Sequence, residues 1–134
     1  MGAWGPGLFE NDDAMDLIDA LAEEETPELL TTALEGVAAS PEDLFGPLFD
    51  KALAAADLVA ASRGHPSPEL PEETPSWITD GRYESDDTAV ALARQVVRRA
   101  IQEQSRLAAR WFDPQKAGEW IDRVQNLSQR LGHT

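Results

Sequence analysis

An all-α fold, an irregular bundle of five or six helices, is what this sequence predicts, and three features predict it. Apolar residues recur at three- and four-residue spacing in five separate stretches. Asn11-Asp12, Thr26-Pro27, Ser40-Pro41, Ser85-Asp86 and Asp113-Pro114 supply the small polar residues and prolines that begin helices. No segment alternates apolar and polar residues between hairpin turns, so nothing calls for a strand.

A glycine-rich arm, residues 1–10, comes first. Helix one starts at Asn11 or Asp12 and runs to about Glu24, with Ala14, Leu17, Ile18 and Leu21 on its apolar face and Asp13 and Asp16 in the favourable first turn. Thr26-Pro27-Glu28 opens a second, whose buried face is Leu29, Leu30, Ala33, Leu34 and Val37 and whose stop is expected near Gly36. Pro41 to Phe45 reads as a separate turn, cut off by Gly46-Pro47. From Pro47 to Arg63 small residues, Ala52 and Ala54 to Ala56 among them, occupy most faces, so this helix belongs at the centre, with Gly64 just past its end.

Pro66, Pro68, Pro71 and Pro75 mark residues 65–84 as an extended surface loop, anchored by a short turn at Trp77 and Ile78. A connection this long is a second candidate for an interaction site. The strongest helical pattern spans Ser85 to Trp111, with Arg99, Arg106 and Arg110 together beside the apolar face. The last helix follows Asp113-Pro114 and carries Ala117, Trp120, Ile121, Val124, Leu127 and Leu131 at core spacing. A length of 134 residues fits one domain, 1–134, with 42% hydrophobic and 27% charged residues.

Charge is the most informative property. The net charge is −14, but Met1 to Asp87 holds 21 acidic and 3 basic residues, whereas the remainder holds 4 acidic and 8 basic. Two readings follow: cationic C-terminal helices dock against acidic N-terminal ones, or an acidic face awaits a basic partner.

Most chemistry is excluded by what is missing. Without cysteine there is no disulfide, thiolate zinc site or cysteine nucleophile, and the expected compartment is a reducing cytoplasm. No apolar run is long enough to span a bilayer and no signal peptide pattern is present, so no membrane is expected. His65 and His133 cannot form a Ser-His-Asp set or a histidine metal site. The early glycines follow no strand and precede no lysine, so they are no phosphate loop. Trp4, Trp77, Trp111 and Trp120 read as core or anchoring residues, and the arginines are too sparse for nucleic acid to be a partner. No catalytic residue, metal ligand or cofactor is assigned.

What remains is the acidic constellation Glu10, Asp12, Asp13, Asp16, Asp19 and Glu23, of which Asp12, Asp16 and Asp19 share nearly one helical face. The residues from Met1 to Asp16, with Trp4, Gly5, Gly7, Phe9, Asn11, Asp12, Ala14 and Asp16 in register, resemble a bacterial family of small proteins of unknown function that open on MGxWGxGxFxNDxAxD. That resemblance implies a small cytoplasmic domain and brings no activity with it. Physically, Gly2, Gly5 and Gly7 would open backbone conformations closed to other residues, while Trp4 and Phe9 clamp the arm to the bundle. The expectation is therefore a non-enzymatic interaction domain that binds a basic protein through these six carboxylates, with an immunity or antitoxin-like role as its most concrete form. The alternatives are a divalent-metal protein or enzyme using Asp12, Asp13 and Asp16, and a DNA mimic.

Overall fold

The computed structural model describes residues 5–40, 46–111 and 113–132. Among them are seven helices and no strand: α1 (Asp12–Glu24), α2 (Glu28–Ala38), α3 (Gly46–Ser62), α4 (Ser76–Thr79), α5 (Asp87–Gln102), α6 (Gln104–Ala108) and α7 (Pro114–Gly132). Trp4, His133 and the turn expected over Pro41 to Phe45 lie outside the described residues.

The starts of these helices follow from their caps. The buried Asn11 accepts the Ala14 amide at 2.8 Å on Oδ1 and donates from Nδ2 to the Leu8 carbonyl at 3.2 Å, so one side chain both caps α1 and ties the arm to it. Asp86 caps α5 by accepting the Ala89 amide at 2.8 Å. Asp113 accepts the Gln115 amide at 2.9 Å ahead of α7. Thr26 departs from this pattern. Its hydroxyl donates to the Glu28 carboxylate, and α2 begins without a side-chain cap on its amides.

At the other end of α3, the His65 amide reaches the Ala60 carbonyl at 2.9 Å and the Gly64 amide reaches the Ala61 carbonyl at 3.1 Å. This Schellman closure needs the left-handed φ of +91° that Gly64 supplies without strain. Gly36, by contrast, ends nothing, and α2 continues to Ala38.

The core is organised around α3, which packs against α1, α2, α5 and α7. Ala54, Ala55, Ala56 and Ala60 are wholly buried, and their small side chains allow neighbours on every side. Leu17, Ile18 and Leu21 of α1, Leu30 and Leu34 of α2, Val96 and Ala100 of α5, and Trp120, Val124 and Leu127 of α7 complete one continuous apolar cluster.

The helix expected from Ser85 to Trp111 is divided at Glu103, whose φ of −107° and ψ of 19° leave helical geometry. Apolar residues lapse from Gln102 to Arg106, so no buried face holds the segment straight. Leu107 and Ala108 then re-enter the core on α6. In the proline-rich loop, α4 buries Ile78, and Trp77 meets Tyr83 edge-on at 5.5 Å. The loop is stapled to α3 where Ser85, fully buried, shares a 2.7 Å hydrogen bond between hydroxyls with Ser62 while its carbonyl accepts from Arg63.

Candidate functional site

Fold and sequence together distribute the six candidate carboxylates over three different surroundings. Glu10 is turned back over its own arm. Its Oε1 accepts the Gly7 amide at 2.9 Å, and a Cβ added to Gly5 or Gly7 would stand 2.6 or 2.5 Å from the Glu10 carboxylate. Neither glycine has a left-handed φ, so the reason for them is room for this carboxylate and not unusual backbone conformation. Leu8 and Phe9, each 6% exposed, press the arm onto the core; of the two residues expected to clamp it, Phe9 is buried and Trp4 lies outside the described residues.

Asp12, Asp16, Asp19 and Glu23 are exposed and follow one another at intervals of four, three and four residues along α1. At 1.5 Å rise per residue they form a single straight ridge about 16 Å long. Asp13 lies off this ridge. Burial pushes its carboxyl pKa up, and repulsion from Asp50, Asp16 and Asp12 adds to the effect, against some relief from Lys51.

Beyond Glu23 come Glu24 and Glu25 at the C-terminal end of α1, where helix dipole and charge oppose one another. Glu25 forms the C-cap at φ 48° and ψ 37°; it alone among the described non-glycine residues has positive φ.

The acidic residues that hold arginines are others, on α3, in the loop and at the two ends of α5. Arg110 forms a two-point ion pair with Asp50 at 2.7 and 2.8 Å, Arg130 with Asp57 at 2.8 and 3.1 Å, and Arg123 with Glu69 at 2.8 and 2.9 Å. Asp50 and Asp57 are 5% and 2% exposed. Burial pushes the Asp57 pKa up against the hydrogen bonds from Arg130, while the hydrogen bond from Arg123 draws Glu69 down. The positive C-terminal helices thus dock on acids of α3 and the loop, not on α1.

Nor do the three arginines singled out beside the α5 pattern form a row. Arg99 donates to the Val37 and Ser40 carbonyls and, with Arg106, to Glu103, while Arg110 turns to Asp50 and stacks over Trp111 at 4.2 Å. Glu103 thus holds Arg99 and Arg106, and Arg110 is drawn away to Asp50. Sequence reasoning passed over Asp50 and Asp57, although a signal was present: they stand seven residues apart on the helix expected at the centre, where a charge has to be paired.

Among the described residues no ion pair reaches α1, and no three acidic or histidine side chains converge to hold a metal ion. No described helix is long and apolar enough to cross a membrane. Two buried loop atoms, Thr74 Oγ1 and Trp77 Nε1, have no hydrogen-bond partner there.

These features define the class: a small acidic all-α domain in which Arg110, Arg123 and Arg130 pair with carboxylates of α3 and the loop, while a ridge of carboxylates without an ion pair runs along α1. The chain belongs to the family described as Domain of unknown function (DUF4259), which it matches over residues 2–123. No curated protein and no solved structure matches it significantly.

Proposed function

We propose that this is a non-enzymatic cytoplasmic interaction domain whose α1 ridge binds a basic protein, as an immunity or antitoxin-like protein would. One observation carries the reading. Asp12, Asp16, Asp19 and Glu23 remain exposed and without a cation among the described residues, while Asp50, Asp57 and Glu69 each hold an arginine. Like charges at these spacings repel and weaken a helix, and Glu24 and Glu25 extend the repulsion against the helix dipole. A local cost with no compensating contact in the fold is the mark of a surface kept for another molecule.

The test compares the wild-type chain with a variant reversed at Asp12, Asp16, Asp19 and Glu23 to Lys, as bait in lysate of the cells that make it. A protein held by the wild type at about 50 mM salt, released by about 500 mM and not held by the variant supports the reading. If every protein held at low salt binds the reversed variant equally, or none is held, the reading fails.

A further inference from the structure

We propose that the cleft between the arm, the proline-rich loop and α7 binds an organic cation, an alkylguanidinium or alkylammonium group on an aliphatic stem. This inference concerns a surface separate from the α1 ridge and does not depend on it. The cleft measures about 580 Å³, within the range of small-ligand sites. Leu8, Phe9 and Pro68 give it an apolar wall, and Glu10, Asp122 and Asn126 are among its polar lining.

The class of ligand follows from the charges that line the cleft. Every guanidinium nitrogen of the two lining arginines already donates to a protein oxygen. Arg123 is bonded to both oxygens of Glu69 and to the Glu119 carbonyl, and Arg130 to both oxygens of Asp57, to Asn126 and to the His65 carbonyl. Both guanidiniums are thus neutralised by carboxylates of the same lining, which leaves an anion no surplus positive charge to meet. Among the described residues, Asp122 has no hydrogen-bond or ion-pair partner, and Glu10 uses only Oε1, on the Gly7 amide. With Asp57 and Glu69 paired to the two guanidiniums, the four carboxylates of the lining leave Glu10 and Asp122 as its surplus charge. A cationic head that donates to Glu10 and Asp122, with its stem against Leu8, Phe9 and Pro68, satisfies both the charge and the apolar wall.

The experiment is a titration of the ¹⁵N-labelled full chain, followed by amide chemical shifts, with Nα-acetyl-arginine amide, agmatine and the uncharged Nα-acetyl-citrulline amide. The expected result is saturable shifts at Gly7, Leu8 and Asn126 with one or both cations and none with the citrulline compound. Response to acetyl-arginine amide alone marks a protein side chain as the source, and response to agmatine marks a free amine.

Asp122→Asn, and Asp122→Asn with Glu10→Gln, each raise Kd, the pair by about tenfold or more. Glu35→Gln, at an exposed position of α2 away from the cleft, leaves Kd unchanged. Absence of saturable shifts, equal binding of the citrulline compound, shifts confined to α1, or an unchanged Kd in the Asp122 variants overturns the proposal.

Discussion

The Arg130 guanidinium straps two adjacent layers of the bundle together by gripping both oxygens of Asp57, Nη1 to Oδ1 at 2.8 Å and Nη2 to Oδ2 at 3.1 Å. With Asp57 2% exposed, the arginine offsets a carboxylate that burial otherwise drives toward its neutral form. Arg130→Met leaves that charge uncompensated and costs about 3–5 kcal/mol in urea unfolding, whereas Asp57→Leu with Arg130→Met recovers most of it. The deficit of the single variant shrinks in acid, where Asp57 is protonated. Equal stabilities of the single and double variants would show that the pair is not what holds α3 to α7.

Gly7→Ala tests the cradle under Glu10. The added methyl displaces a carboxylate that accepts the Gly7 amide at 2.9 Å, and losing that bond costs about 1 kcal/mol. Because the obstacle is the end of a flexible side chain, the penalty should largely vanish in a Glu10→Ala background. A penalty of the same size in both backgrounds would instead locate the requirement for glycine in the backbone.

Asp13 gives a pH dependence of defined sign. Its pKa is raised by burial and by repulsion from Asp50, Asp16 and Asp12, so folding disfavours its anion. The penalty is absent below the ordinary carboxylate range, where Asp13 is protonated both folded and unfolded, and present in full above its folded pKa. Asp13→Asn therefore raises Tm at pH 7 by about 1–2 °C and leaves it unchanged near pH 3. A gain of equal size at both pH values would assign the effect to packing.

Much of the bundle is legible in the sequence because its helices are bounded by local chemistry. Asn11, Asp86, Asp113 and Gly64 act on backbone groups within a few residues, and the apolar period of α1, α5 and α7 is unbroken where those helices run. Partnerships are not local. Nothing in the sequence around Asp57 states that Arg130, 73 residues away, will meet it, or that Arg110 will choose Asp50 over the acids of α1. The candidate carboxylates were legible as a group, and the helical period placed Asp12, Asp16 and Asp19 on one side. That Glu10 faces a cleft and Asp13 faces α3 depends on how the arm folds back, which Asn11 and the space above Gly5 and Gly7 decide.

Glu25 separates the conformational and electrostatic costs of the acidic end of α1. It occupies a left-handed C-cap at φ 48°, a conformation that costs a side-chain-bearing residue about 1 kcal/mol relative to glycine, and its amide closes the helix on the Leu21 carbonyl. Glu25→Gly removes strain and charge together, whereas Glu25→Gln removes the charge and keeps the strain. The first should stabilise the fold by about 1 kcal/mol and the second by only about 0.3 kcal/mol, because the residue is exposed and the dipole is screened there. Equilibrium unfolding at low and high salt distinguishes them. The gain from glycine should survive high salt, and that from glutamine should not. Similar gains from both, each abolished by salt, would mean that charge alone weakens this end of α1.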